Sequence, residues 1–289
     1  MNLNLKKEKG SGLFFSLIAV VFLFTTLIRG ALLSLVQDEN FAKIIGSVCS
    51  AISALIVVFI FCYFTEEKPF KNIGFKPFDK KYLLLSVTLF LGVLFGLGKI
   101  NIWFADLLKN LGIQVPNGEL PLESAFWLIL TIIAVGFLPA FFEEVMFRGY
   151  ILSGLKELKE IYVILISGLT FSLFHGSITQ IIYQFLGGMI FALLTLRANS
   201  IFPAMIMHLL NNVTIILLTY FFPTVNFFVW WTVLVGFLLL IGSLGYLIFF
   251  CKKEKDKTDE KSCKGFFIYA LLGIVCYFLI WVLELISYV

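Results

Sequence analysis

The sequence predicts an all-α fold: a polytopic membrane bundle of eight or nine transmembrane helices. Three observations carry that prediction. First, 60% of the 289 residues are hydrophobic and 14% are charged, with a mean hydropathy of +1.00. A water-soluble domain has about 45–50% apolar and about 25% charged residues. Second, the apolar residues fall into runs long enough to cross a bilayer, which takes about 20 residues of helix. Third, the basic residues gather at alternate ends of those runs, as membrane topology requires. The net charge of +4 therefore informs orientation, and no nucleic-acid partner is expected.

The runs are 12–36, 41–64, 82–105, 124–152, 161–176, 178–197, 201–222, 225–250 and 265–287. The stretch before the first resembles a signal peptide, but the run is too long and lacks a small-residue cleavage site, so it reads as a retained helix. The segment EEKPFKNIGFKPFDKK (66–81) mixes Phe with Lys and is expected along the inner headgroup surface. The segment 112–124 is rich in turn formers and ends in a helix start at Ser124. The run 161–176 is short, and only Gly176-Ser177 separates it from the next. The last run, 265–287, reads as a candidate peripheral addition to an eight-helix body. The whole chain, 1–289, reads as one transmembrane domain, with 125–216 as its motif-bearing core. The five cysteines lack metal-ligand spacing. Cys49, Cys62 and Cys276 sit in apolar runs as small hydrophobes.

With a cytoplasmic N-terminus, 17 of the 22 basic residues fall on the inner side. The outer ends keep Arg29, Lys43, Lys99 and Lys109. Nine spans then put the C-terminus outside, in what is expected to be a bacterial cytoplasmic membrane.

The chemistry-bearing residues lie inside the apolar runs. In PAFFEEVMFRGY (139–150), two adjacent carboxylates and a guanidinium occupy six positions. Charges at membrane depth cost about 2.5–3.5 kcal/mol each on insertion scales, so a functional site is the default reading. Glu144 and Arg148 are four apart on a helix and can pair. Glu143 is rotated about 100° away and is left to face a cavity. Pro139 removes a backbone hydrogen bond and is expected to bend the helix. The fifth run places Phe171 and His175 on one face, and the seventh places His208 and Asn212 on one face. Asn211 faces elsewhere, toward a neighbouring helix. Taken singly, each has a bland reading: an interfacial ion cluster, a packed histidine, interhelical hydrogen bonding. Together, polar side chains on three separate spans point most simply at one aqueous pocket. Counting along the spans puts Glu143 and His208 in the inner half and His175 further out.

A carboxylate beside an imidazole in a dry pocket is equipped to activate water. A second imidazole and an amide can donate to a developing oxyanion. Ser172 lies three residues before His175, but no base–carboxylate chain supports it, so a water nucleophile is favoured over an acyl-enzyme.

Glu143-Glu144-x-x-x-Arg148, Phe171-x-x-x-His175 and His208-x-x-x-Asn212, in that order on separate spans, resemble the CPBP family of intramembrane proteases. That family includes CAAX prenyl endopeptidases and Abi bacteriocin-immunity proteins. The likeness covers roughly 125–216. It implies hydrolysis of membrane-associated, lipidated or small peptide substrates. By it, Glu143 and His175 would activate water, His208 and Asn212 would form the oxyanion site, and Glu144, Arg148 and Phe171 would support them. Zinc on Glu143, His175 and His208 would leave an open fourth position. There is no HExxH pair on one helix, so the metal-free mechanism is preferred and no cofactor is favoured. Two other readings stand beside this one: a non-catalytic immunity-type protein of the same fold, and a proton-coupled transporter, since intramembrane Glu and His also build proton relays.

Overall fold

A computed structural model describes residues 7–71, 73–113, 120–251 and 262–287. These form α1 (Lys7–Leu33), α2 (Glu39–Thr65), α3 (Lys80–Asn110), α4 (Ala125–Leu155), α5 (Glu160–Phe174), α6 (Ile178–Ala198), α7 (Phe202–Phe221), α8 (Trp230–Phe249) and α9 (Lys264–Ser287). No strand occurs among the described residues. Eight of the helices are long and apolar enough to cross a membrane, and the chain is an integral membrane helical bundle. The exception is α5. Its 15 residues rise only about 22 Å, short of the roughly 30 Å hydrocarbon core.

Local chemistry sets the helix ends. Asp38 and Asp79 accept backbone N–H groups at the starts of α2 and α3, and Ser124 does so for α4, as its sequence predicts. Residues 114–119 of the segment before Ser124 lie outside the described residues, as do Lys6 and residues 252–261, which hold most of the lysines before α9. Three stretches are wound wider than an α-helix: Gly92–Leu97 in α3, and Ile132–Phe137 and Val145–Leu152 in α4. Such π-type turns recur at functional sites. The bend expected from Pro139 takes this form. Proline lacks the N–H that would bond the carbonyl four residues earlier, and the wide turn before it leaves the Val135 carbonyl to accept from Asn212 Nδ2 at 3.4 Å.

Small residues bring the helices close, as is usual where lipid gives no hydrophobic drive to association. A Cβ built on Gly236 of α8 would lie 2.7 Å from the Gly96 nitrogen of α3. Arg197, at the end of α6, is buried. It donates to both carboxylate oxygens of Glu160 on α5 and to the Leu247 carbonyl of α8. That ties three helix ends together.

Part of the 66–81 segment, expected along the inner headgroup surface, packs into the bundle while Lys68, Lys71 and Lys76 stay exposed; Asn72 alone falls outside the described residues. Ile73 is buried, Phe75 stacks on Phe141 of α4 and Phe202 of α7, and the Ile201 N–H donates to the Gly74 carbonyl. The last helix, expected as a peripheral addition, packs along α1, where Ser16 donates to the Tyr269 carbonyl at 2.7 Å. It also reaches the turn after α5, where Glu284 accepts from the Ile178 N–H at 2.6 Å.

Candidate active site

The motif-bearing residues converge. Glu143 and Glu144 project from α4 on different faces, as adjacent helical residues must. Glu144 is fully buried and Arg148 is 1% exposed. Arg148 Nη1 donates to Glu144 Oε1 at 2.9 Å, and Nη2 donates to the Gly188 carbonyl of α6 at 3.1 Å. The guanidinium lies over the rings of Phe171 (4.5 Å) and Phe191 (4.9 Å), a cation–π setting that suits arginine. So Phe171, a supporting residue by sequence, is one face of an aromatic cage around the buried cation.

The same Glu144 oxygen accepts a second bond, from His208 Nδ1 of α7 at 3.0 Å. Sequence reasoning paired Glu144 with Arg148 alone. The i,i+4 spacing is visible in one helix, whereas His208 comes from 64 positions further along. The imidazole also stacks on Phe191, with centroids 5.2 Å apart and planes at 23°. The ring is thereby fixed in tautomer and angle: a carboxylate only accepts, so Nδ1 carries the proton.

His175 sits just past the end of α5. Its Nδ1 donates to the Phe171 carbonyl at 2.8 Å, one of the carbonyls a helix end leaves free. That bond turns Nε2 toward Glu143, at 3.8 Å from Oε2. Gly176 follows at φ +60°, a left-handed turn that costs glycine little, and sends the chain back into α6. The depth mismatch expected for His175 is absorbed here. Because α5 is short, its end stops beside Glu143 rather than at the far surface.

Glu143, His175, His208, Asn211 and Asn212 line one cavity of about 710 Å³, within the range of small-ligand and peptide sites. Glu143 Oε2 is buried with no hydrogen-bond partner among the described residues. On its α2 side, beside Ser47 and Ser50, lies a void about the size of one water. Asn211 does bond a neighbouring helix, accepting from Tyr183 of α6 at 3.0 Å, yet it also shares the cavity wall. Sequence reasoning missed that wall's other polar members: Asn101 of α3, and Gln180, Tyr183 and Gln184 at the start of α6. The polar cluster directly after His175 was the available signal. Ser172 donates to the Ile181 carbonyl at 2.8 Å and is engaged away from the histidines.

Among the described residues, no three His, Cys, Asp or Glu side chains are grouped as a metal-binding set.

Residues 125–214 match the family model described as Rce1-like, type II CAAX prenyl endopeptidase Rce1-like. Neither a curated protein nor a solved structure matches the chain significantly.

Proposed function

We propose, from the match of residues 125–214 to the Rce1-like family model, that this chain is a membrane endopeptidase of the CPBP type in which Glu143 activates the attacking water. The observation that carries this reading is the facing pair. Glu143 Oε2 and His175 Nε2 lie 3.8 Å apart on a cavity wall. That is too long for a direct hydrogen bond and suits one water held by both. With Nδ1–H committed to Phe171, a neutral His175 offers its Nε2 lone pair to that water.

The water adds to the peptide carbonyl as Glu143 takes its proton. The carbonyl oxygen becomes an oxyanion, toward which His208 and Asn212 of the cavity wall would donate. For His208 to donate from Nε2 as well as Nδ1 it must be an imidazolium. Collapse of the tetrahedral intermediate breaks the C–N bond. The proton held by Glu143 then passes to the leaving amine, as for a general acid–base pair. No step runs through a metal.

Substrate is a peptide segment reached within the bilayer. Prenylated chain ends are the class that the matched family's description names for its members. The test replaces Glu143 with the isosteric amide. Glu143→Gln keeps the shape and removes the base, so a general-base role predicts a loss of about 10²–10⁴-fold in cleavage. Quantitative proteomics of membranes carrying wild-type or variant protein at equal level reads it, as a substrate that accumulates uncut. Equal peptide profiles, with any biological activity intact, would return the chain to the non-catalytic reading.

A further inference from the structure

We propose, resting on the hydrolase reading above, that the site receives an uncharged polypeptide segment from the face opposite the lysine-rich one, which makes the substrate extracytoplasmic. The cavity runs one way. From Glu143 and His175 its wall follows the second half of α3, through Asn101, and the last turns of α7 to the loop Pro223–Phe228. No described residue of the 66–79, 156–159, 199–201 or 250–263 connections lines it. The described residues of those connections lie at the opposite end of the bundle, and that end is packed shut. Phe75 lies between Phe141 and Phe202, with ring centroids at 6.2 and 5.4 Å. The Gly74 carbonyl is bonded to the Ile201 N–H at 3.0 Å, and Ser200 Oγ donates to the Lys76 carbonyl at 2.7 Å.

Charge tells which end is which. Of the 16 described lysines and arginines, 11 lie at the sealed end, so the positive-inside rule makes it cytoplasmic. The mouth therefore opens to the outer side.

The wall also describes the occupant. Its carboxamides, Asn101, Gln180, Gln184, Asn211, Asn212 and Asn226, offer both donors and acceptors. Asn101 Oδ1 is buried with no partner among the described residues, an acceptor that a peptide N–H would complete. Among the described residues no lysine or arginine lines the cavity, so a terminal carboxylate brought there would be desolvated with neither to pair with, at a cost of several kcal/mol. The interior of a polypeptide fits; a free chain end at the cytoplasmic leaflet does not.

The test is cysteine accessibility in a chain whose five native cysteines are replaced by alanine. Single cysteines are placed at Thr224 (mouth), Asn101 (cavity wall) and Lys159 (sealed end). Intact cells are treated with a small membrane-impermeant methanethiosulfonate cation. Thr224→Cys and Asn101→Cys are expected to react in intact cells, and Lys159→Cys at least tenfold faster after permeabilisation. Reaction of Lys159→Cys alone in intact cells overturns the proposal. So does reaction at 224 with none at 101 in either preparation. Should the cysteine-free chain fail to accumulate, protease added to intact cells expressing the otherwise native chain must remove a tag after Val289 and spare one before Met1. The opposite result overturns the orientation. None of these readouts needs catalysis, so the hydrolase reading can fail while the access route stands, and the reverse.

Discussion

The buried pair between Glu144 and Arg148 makes the sharpest prediction, because it depends on geometry alone. Both side chains are 0% exposed, so solvent screening gives no discount. Arg148→Met removes the Nη1 bond to Glu144, the Nη2 bond to the Gly188 carbonyl and the contacts with two aromatic rings. Removing one partner of a buried pair costs about 3–5 kcal/mol, because the other charge is left uncompensated. Glu144 retains the His208 donor, which puts Arg148→Met near the low end of that range. Glu144→Gln keeps an acceptor for His208 and Arg148 but strands the guanidinium, at similar cost. In the double variant neither charge remains, and the two costs should fall short of additivity by about 2–3 kcal/mol. Unfolding of the purified protein in mixed micelles, followed by helical circular dichroism against denaturing detergent, gives the four stabilities of the cycle. Single variants both within about 1 kcal/mol of wild type, the range of exposed pairs, would refute the buried cluster.

Other outcomes follow from the same geometry. Gly236→Ala should destabilise by about 1–3 kcal/mol, as overpacking does, because the new methyl meets the α3 backbone at 2.7 Å; thermal unfolding reads it, and an unchanged midpoint counts against the α3–α8 contact. Glu284→Gln, on α9, should lower kcat with little change in KM, since it loosens the turn that follows His175; Glu284→Asp should recover less than half, because the carboxylate then falls short of Ile178. Cleavage should persist after exhaustive chelation, and loss of activity restored by zinc would move Glu143 from base to ligand. Arg197→Lys should behave as a loss, because one ammonium cannot replace the fork that bonds Glu160 and the Leu247 carbonyl together; the stability drop should approach that of Arg197→Met.

Much of this molecule is legible one helix at a time. Composition and run length give the bundle. Ser124 caps α4 through its own hydroxyl, Glu144 meets Arg148 one turn on, and Glu143 is left facing another way; each follows from helical geometry over a few residues. What joins one helix to another was not legible. These helices are apolar nearly all round, so periodicity does not fix how each is rotated or how far it slides along its neighbours. Only the packed structure brings His208 onto Glu144, ends α5 early enough to set His175 beside Glu143, folds Phe75 into the lysine-rich end, and lets α9 hold the turn at Ile178. The cavity and its course are properties of that packing. A hollow is bounded by side chains distant in sequence, and no local rule registers the space between them.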